Sequence, residues 1–242
     1  MKRGFILNKT AEIIAYESII EMILSREFAP GDRLIESEIA ETLNLSRTPV
    51  RNVMRQLAAE GLLEIRGNKG CYIPKLSPED MHSVFKARAY LEGQASLEAA
   101  NIRSKENILA LQELSEREKY YYSQGKLKEY SDINNKFHLL IAEICNNNYI
   151  EKFTRQLFWR SGLYIFHFDR YYAPNSAEEL LRDPSTSVSC NQHEQIINAI
   201  IAGDGTLAEN AMRSHIYTTY AMMTGRFPFD VKKFVLNSSR VF

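Results

Sequence analysis

One predicted helix, residues 46–59, constrains the fold more than any other segment of the sequence. Its apolar residues recur at the spacing of one helical face: Val50, Val53, Met54 and Leu57. Arg47, Arg51 and Arg55 are four residues apart and therefore share another face. Ser46 precedes the helix and is expected to cap it. The pattern predicts a helix that packs on a core with one side and presents guanidinium groups on the other.

The predicted elements around this helix follow the order of a winged helix-turn-helix. Helical spacing of apolar residues predicts a first helix over 11–27, which is followed by an extended segment over 33–36. Ser37 is expected to cap the second helix, and a tight turn separates it from the third. Two short strands, over 62–65 and 71–73, flank a glycine-containing loop and predict a hairpin.

The arginine face of the third helix has the chemistry of a DNA-reading surface. Arginine donates paired hydrogen bonds to guanine O6 and N7, and short polar side chains reach bases or phosphates. The candidate contacts are Ser46, Arg47, Thr48, Arg51, Asn52 and Arg55 on the helix, and Arg66 and Lys69 on the hairpin. The 30 basic and 30 acidic residues give zero net charge, so any contact with DNA must come from this local patch. The alternative, a merely solvated arginine face, leaves the preceding turn and the basic hairpin unexplained.

Residues 78 to 226 are predicted to be helical throughout and to form an antiparallel all-α bundle of six or seven helices. The predicted helices span 78–101, 104–123, 126–146, 148–170, 176–182, 188–203 and 205–225. Ser77 and Pro78 suit the cap and the first position of the first of these helices. We therefore expect a mainly α protein with a winged helix-turn-helix domain over 1–76, a helical domain over 77–230 and a C-terminal tail over 231–242.

Three histidines fall on helix faces that are predicted to point into this bundle. His138 follows Asn134 by one helical turn, and His193 and His215 lie on the apolar faces of two later helices. Neutral imidazole is the commonest protein ligand of zinc, nickel and related divalent ions. One interpretation is a metal centre of these four residues. The other is a set of core histidines that bind no metal, because spacing does not establish proximity between helices.

Composition excludes several other classes of protein. The three cysteines, Cys71, Cys145 and Cys190, are scattered and lack a CxxC motif. This argues against a disulfide framework or a cysteine-based zinc site and favours the cytoplasm. No apolar run approaches the length of a membrane span, and the N-terminus lacks a secretory core. We expect a cytoplasmic protein without a membrane partner.

Several segments of the N-terminal half form a specific set of motifs. They are Pro30-Gly31-Asp32-Arg33-Leu34, Glu38-Ile39-Ala40, Leu45-Ser46-Arg47-Thr48-Pro49-Val50-Arg51, Leu57-Ala58-Ala59-Glu60-Gly61-Leu62-Leu63 and Gly70. Together they closely resemble the GntR family of bacterial transcription regulators. The resemblance implies that Arg47, Thr48 and Arg51 contact operator DNA and that Gly70 approaches the minor groove. Some relatives carry a DNA-contacting arginine early in the second helix, where the nearest residue here is Ser37.

A second set of motifs spans the C-terminal half. They are Arg88-Ala89-x-Leu91-Glu92, Asn134-x-x-Phe137-His138, His193-Glu194-x-Ile196-x-x-Ala199-Ile200 and Met212-x-x-His215. They resemble the FCD ligand-binding domain of the fatty-acid-regulator branch of that family. The resemblance implies a divalent metal held by three histidines, with Asn134 in the place of an aspartate, and a carboxylate effector at Arg88. An ion pair with Glu92, one turn away, is the alternative role of Arg88.

The expected function is therefore a dimeric, ligand-responsive transcription regulator that acts as a repressor. Its expected partners are double-stranded operator DNA, a divalent metal, with zinc or nickel preferred, and a small organic acid. An enzyme is not expected, because Glu194 directly follows His193, Glu143 lies one turn beyond His138 and off its face, and neither forms an HExxH arrangement. A metal-dependent hydrolase-like enzyme and a DNA binder with a purely structural metal are the alternative functions.

Overall fold

The computed structural model describes residues 10–24, 27–67, 70–168 and 183–224. The chain divides into two compact units, residues 1–76 and 77–242. Three of the sequence-based predictions fall outside the described residues: the DNA contact of Lys69, the helix over 176–182 and the tail over 231–242.

The first unit contains three helices and a small sheet within its described residues. The elements are α1 (Ala11–Leu24), β1 (Arg33–Leu34), α2 (Glu36–Thr42), α3 (Arg47–Ala59), β2 (Glu64–Ile65) and β3 (Cys71–Tyr72). The sheet is antiparallel in the order β1-β3-β2, so Tyr72 lies between Arg33 and Glu64. The predicted hairpin is present as β2 and β3. The extended segment before α2 adds a third strand, whose pairing depends on a partner far along the chain.

The core of this unit lies between α1 and α3, which pack against each other. The apolar residues that define the inner face of α3 are all buried, as the spacing predicts: Val50, Val53, Met54 and Leu57. From α1, Ala15, Ile19 and Ile23 are fully buried. Burial of this stripe fixes the rotation of α3, so its arginines face away from the core.

Two predicted helix caps differ from the structure. Helix α2 begins at Glu36 with Ile35 in the cap position, so the prediction that Ser37 caps this helix is wrong. Ser37 lies within the first turn, because strand β1 ends at Leu34 and only one residue separates it from the helix. Ser46 does occupy the cap position of α3, but its side chain makes no capping hydrogen bond.

The second unit is helical throughout its described part, which confirms the predicted fold class. Its helices are α4 (Pro78–Ile102), α5 (Lys105–Ser123), α6 (Leu127–Ile144), α7 (Asn148–Phe168), α8 (Val188–Ala202) and α9 (Gly205–Thr224). A 3-10 turn, Pro184–Thr186, precedes α8. Helix α4 contacts α6, α7, α8 and α9 and so forms the centre of the bundle. Ser77 caps α4 by accepting a hydrogen bond from the backbone N–H of Asp80, as predicted.

Within the described residues, no helix combines the length and apolar character needed to cross a membrane.

Candidate nucleic-acid interface and metal centre

A groove in the first unit runs between β1, the start of α2, helix α3 and the hairpin. Its volume is about 380 Å³. The charged residues that line it are Arg33, Glu36, Arg47, Arg51 and Arg55. Gly70 lies on the hairpin side of the same groove. The structure therefore brings together, on one surface, the predicted arginine face and Gly70 of the hairpin, which is the wing of the winged helix-turn-helix.

The arginines of α3 differ in how they are held. The side chain of Arg47 is 64% exposed and its Nη2 lies 3.8 Å from Glu36 Oε2. Arg51 is 43% exposed, and its Nε donates a hydrogen bond of 3.1 Å to the same Glu36 oxygen. Arg55 is exposed on the same groove. Guanidinium groups on this face remain open to an approaching duplex.

Four other predicted DNA contacts have different surroundings. Ser46 and Thr48 are exposed at the start of α3. Asn52 is exposed but does not line the groove, and its amide donates to Glu12 of α1 over 3.0 Å. Arg66 pairs with Glu64 and stacks over the Tyr72 ring at 4.3 Å, so its guanidinium is engaged by the hairpin itself.

Arg33 is a groove residue that sequence reasoning missed. It lies on β1 beside the wing, and a Cβ built on Gly70 would come within 3.2 Å of its Nε. Gly70 has φ +104, a conformation that favours glycine. The buried Leu34 next to it indicated that Arg33 points outward. The pairing of Arg33 with Tyr72, which places it at the wing, is long-range and has no local signal.

In the second unit, three predicted metal ligands converge. His138 of α6, His193 of α8 and His215 of α9 are all buried, and their candidate ligand atoms lie within 4.8 Å of one another. His215 Nε2 lies 3.2 Å from His193 Nε2 and 3.3 Å from His138 Nε2. The same nitrogen of each ring therefore points at a common centre.

The opposite nitrogen of each ring is held by an acceptor. His138 Nδ1 lies 2.6 Å from Glu92 Oε2, and His193 Nδ1 lies 2.8 Å from Glu118 Oε2. His215 Nδ1 lies 3.0 Å from the amide oxygen of Gln192. The Gln192 amide nitrogen donates to Thr218, which fixes the orientation of that oxygen. All three acceptors require a proton on Nδ1.

A neutral imidazole with its proton on Nδ1 has a lone pair on Nε2. Burial lowers the pKa of His138 to about 4, although Glu92 acts in the opposite direction. Burial and the two neighbouring histidines hold the pKa of His215 well below its usual value. Both rings are therefore neutral at pH 7, and their lone pairs face each other at hydrogen-bond distance without a proton to share. This donor set fits a divalent cation, which would accept all three lone pairs.

Arg88 is buried beside this centre and is bonded on two sides. Its Nε donates to Glu92 Oε1 over 2.5 Å, and its Nη1 donates to Ser161 Oγ over 2.7 Å. Burial opposes ionisation of Glu92, but Arg88 and His138 outweigh it and hold the pKa of this carboxyl near 2. The ion pair weighed as the alternative role of Arg88 is present. It links the arginine to the metal centre through one carboxylate.

A cavity of about 330 Å³ opens beside His138 and His215. Arg88, Asn134, His138 and His215 line it, so the predicted effector residue and the predicted fourth ligand share one space. Hydroxyl groups from α6, α7 and the start of α8 also line the cavity. A small polar ligand in this cavity would contact both the arginine and the histidine centre.

Sequence reasoning missed the residues that hold the histidines from behind. Glu118 lies on the buried face of α5 with Leu111 and Ser115, and a glutamate two helical turns after Leu111 on the same face was an available signal. Gln192 directly precedes His193, but its amide oxygen accepts a hydrogen bond from His215, and the sequence did not indicate this contact. Phe158 and Phe166 of α7 are buried and also line the cavity.

The two carboxylates weighed as general bases lie away from this centre. Glu194 is 51% exposed and pairs with Lys119 over 2.9 Å, and Glu143 is exposed. Neither is placed to activate a metal-bound water, which a hydrolase would require.

The matches with known families cover both units. The model of bacterial regulatory proteins of the gntR family matches residues 14–73, and the FCD domain model matches residues 83–218. The chain is 30% identical over 173 residues to the uncharacterized HTH-type transcriptional regulator YdhC of Bacillus subtilis (strain 168). That match covers 69% of this chain and 75% of YdhC.

Two further comparisons agree with this family assignment. The chain is 26% identical over 197 residues to the HTH-type transcriptional repressor RspR of Escherichia coli (strain K12), covering 78% of each protein. The solved structure of E. coli McbR/YncC has the same fold, with a TM-score of 0.72 at 20% identity, over 90% of this chain and 98% of that one. The chain therefore belongs to the gntR family of bacterial regulatory proteins and is a DNA-binding transcription regulator with an FCD domain, not an enzyme.

Proposed function

We propose that this regulator is a metal-dependent repressor that acts as a homodimer on operator DNA and responds to a small organic acid. One observation carries the proposal: three histidine Nε2 atoms converge beside a cavity that is lined by two of these histidines and by a buried arginine. A metal ion and an acid in adjoining positions would use every polar group of this arrangement.

The proposed DNA contacts come from the groove of the first unit and from the exposed start of α3. Arg47, Thr48 and Arg51 would enter the major groove, and Gly70 would approach the minor groove beside it. Arg55 and Ser46 would contact phosphates. Two protomers related by a twofold axis would read the two halves of a near-palindromic operator.

The metal part of the proposal rests on the three buried histidines. His138, His193 and His215 would hold the ion, with the amide oxygen of Asn134 as a fourth, weaker ligand. An imidazole set of this kind suits zinc or nickel. When bound, the ion supplies a positive charge that attracts the carboxylate of the effector.

The effector part rests on Arg88. Its guanidinium is already fixed by Glu92 and Ser161, so little conformational freedom is lost when it binds a carboxylate. The relative RspR is named as a transcriptional repressor, which supports repression as the mode of action of this protein. Release from DNA requires that the acid bind more tightly to the form of the dimer with low DNA affinity.

Two measurements test the DNA and metal assignments. The full-length protein is first used to enrich duplexes from a random library. Arg51→Ala should weaken binding to an enriched duplex by about 1–3 kcal/mol, and Arg117→Ala in the second unit should leave this affinity unchanged.

Elemental analysis should find about one divalent ion per chain, which is lost in His193→Ala and His215→Ala and retained in His82→Ala. Equal metal content in all four proteins would overturn the metal centre.

The effector assignment has a separate test. A panel of small organic acids is screened for thermal shift and for release of the enriched duplex, with and without added zinc. The proposal requires at least one acid that is active only with the metal. Acids that act equally well on the metal-free protein would contradict the shared site.

A further inference from the structure

The groove of the first unit contains a carboxylate in an unfavourable position for DNA binding. Among its lining residues in the described part of the chain, Glu36 is the single acid beside Arg33, Arg47, Arg51 and Arg55. A negative charge here repels phosphates, so it weakens the attraction of the groove for any duplex. Its presence calls for an explanation other than affinity.

The contacts of Glu36 supply that explanation. One carboxylate oxygen, Oε2, accepts the Nε–H of Arg51 over 3.1 Å and lies 3.8 Å from Nη2 of Arg47. A guanidinium whose Nε–H is bonded has its plane fixed, and its two terminal nitrogens remain available as a fork. That fork matches guanine O6 and N7.

We propose that Glu36 is a positioning residue for sequence readout, which holds the Arg51 guanidinium in the orientation that contacts a guanine. This inference rests on the proposed DNA contacts of the groove. The carboxylate also makes the groove less attractive to DNA of any sequence. The first effect increases the ratio of specific to nonspecific affinity, whereas the second lowers the affinity for every duplex.

A simple surface ion pair is the competing explanation, and it predicts a different result. If Glu36 only contributed charge, its removal would strengthen binding to every duplex by the same factor. If it only stabilised the fold, its removal would leave the ratio of specific to nonspecific affinity unchanged. A positioning role requires that this ratio fall.

The experiment measures the affinity of the full-length protein for the enriched duplex and for a scrambled duplex of equal length, at several salt concentrations. Glu36→Gln should lower the specificity ratio by about tenfold, in the range of one base contact, while nonspecific binding stays equal or tightens. Glu36→Asp keeps the charge but shortens the arm, so it should lower the ratio without tightening nonspecific binding. Glu38→Gln, the same change at an exposed position of α2 outside the groove, is the matched control.

A double-mutant cycle shows whether Glu36 acts through Arg51. In an Arg51→Lys background, which lacks the fork, Glu36→Gln should no longer change the specificity ratio. An unchanged ratio in Glu36→Gln and Glu36→Asp, or an equal fall in Glu38→Gln, would overturn the inference. A wild-type protein that enriches no duplex would instead overturn the proposed DNA contacts, so the two failures are distinguishable.

Discussion

The partners of the Nδ1 atoms decide what the three histidines of the second unit can do. Two carboxylates and one amide oxygen hold the Nδ1 protons, so every Nε2 lone pair is directed at the common centre. Such outer partners orient a metal-binding imidazole and increase its basicity. Among these partners, Glu118 has a second carboxylate oxygen that is buried without a described hydrogen-bond partner.

At the scale of a single residue, we expect Glu118→Gln to weaken metal binding by about 10–100-fold. The amide can still meet His193 Nδ1, but it carries no charge and can present an N–H where an acceptor is required. Metal affinity is measured by competition with a chelator of known strength. Glu116→Gln, the same change at an exposed position of α5, is the control. Identical affinities in the two variants would contradict the role of Glu118.

A second residue-scale prediction concerns Arg88. Truncation to alanine would leave Glu92 buried without its cation, so Arg88→Lys, which keeps the charge and loses the planar fork, is the informative change. We expect it to weaken effector binding by about 10–100-fold, or 1.4–2.8 kcal/mol, with operator affinity retained. The fluorescence of Trp159, the single tryptophan, reports binding because Trp159 adjoins the cavity residue Phe158. Unchanged effector affinity would exclude the carboxylate clamp.

At the scale of elements, hydrogen bonds and an ion pair join the start of α4 to α7. Tyr164 Oη donates to Asp80 Oδ2 over 2.6 Å and accepts from the backbone N–H of Ser77 over 3.1 Å. Arg160 also pairs with Asp80 over 2.9 Å. Since α7 lines the cavity through Phe158 and Phe166, these bonds connect the cavity wall to the first residues of the helical unit.

We expect Tyr164→Phe to lower the free energy of unfolding of the helical unit by about 1–2 kcal/mol, because it removes a part-buried hydrogen bond to a charged group. Denaturant unfolding followed by Trp159 fluorescence gives this value. Tyr120→Phe, at a side chain that is 55% exposed, should change it by less than about 0.5 kcal/mol. Equal effects of the two substitutions would show that the hydroxyl of Tyr164 contributes nothing specific.

For the whole molecule, a bound metal should stabilise the folded protein by mass action. Free zinc at 100 times its dissociation constant adds about 2.7 kcal/mol, which raises the melting temperature of a protein of this size by about 5–10 °C. The comparison is between chelator-stripped protein and the same sample after zinc is restored. His215→Ala should show no zinc-dependent shift, and a wild-type protein without one would contradict the metal centre.

The sequence alone predicted the features that depend on residues close together in the chain. The inner stripe of α3 and the arginines opposite it share a helix, so the 3.6-residue period fixes their faces before any tertiary contact forms. The cap formed by Ser77 is equally local. Of the two predicted caps that differ from the structure, Ser37 failed because β1, which pairs with the distant strand β3, ends at Leu34 and α2 already begins at Glu36.

Local spacing placed three histidines on buried helix faces, but only the packing of α6, α8 and α9 directs the same nitrogen of each ring to one point. Glu118 and His193 are 75 positions apart, and Glu36 and Arg51 are 15 apart on different helices. Helical periodicity carries no information across such distances, because it does not specify which faces of two helices meet. The sequence by itself determined the helical fold and the arginine face, and the tertiary structure decided which groups those residues touch.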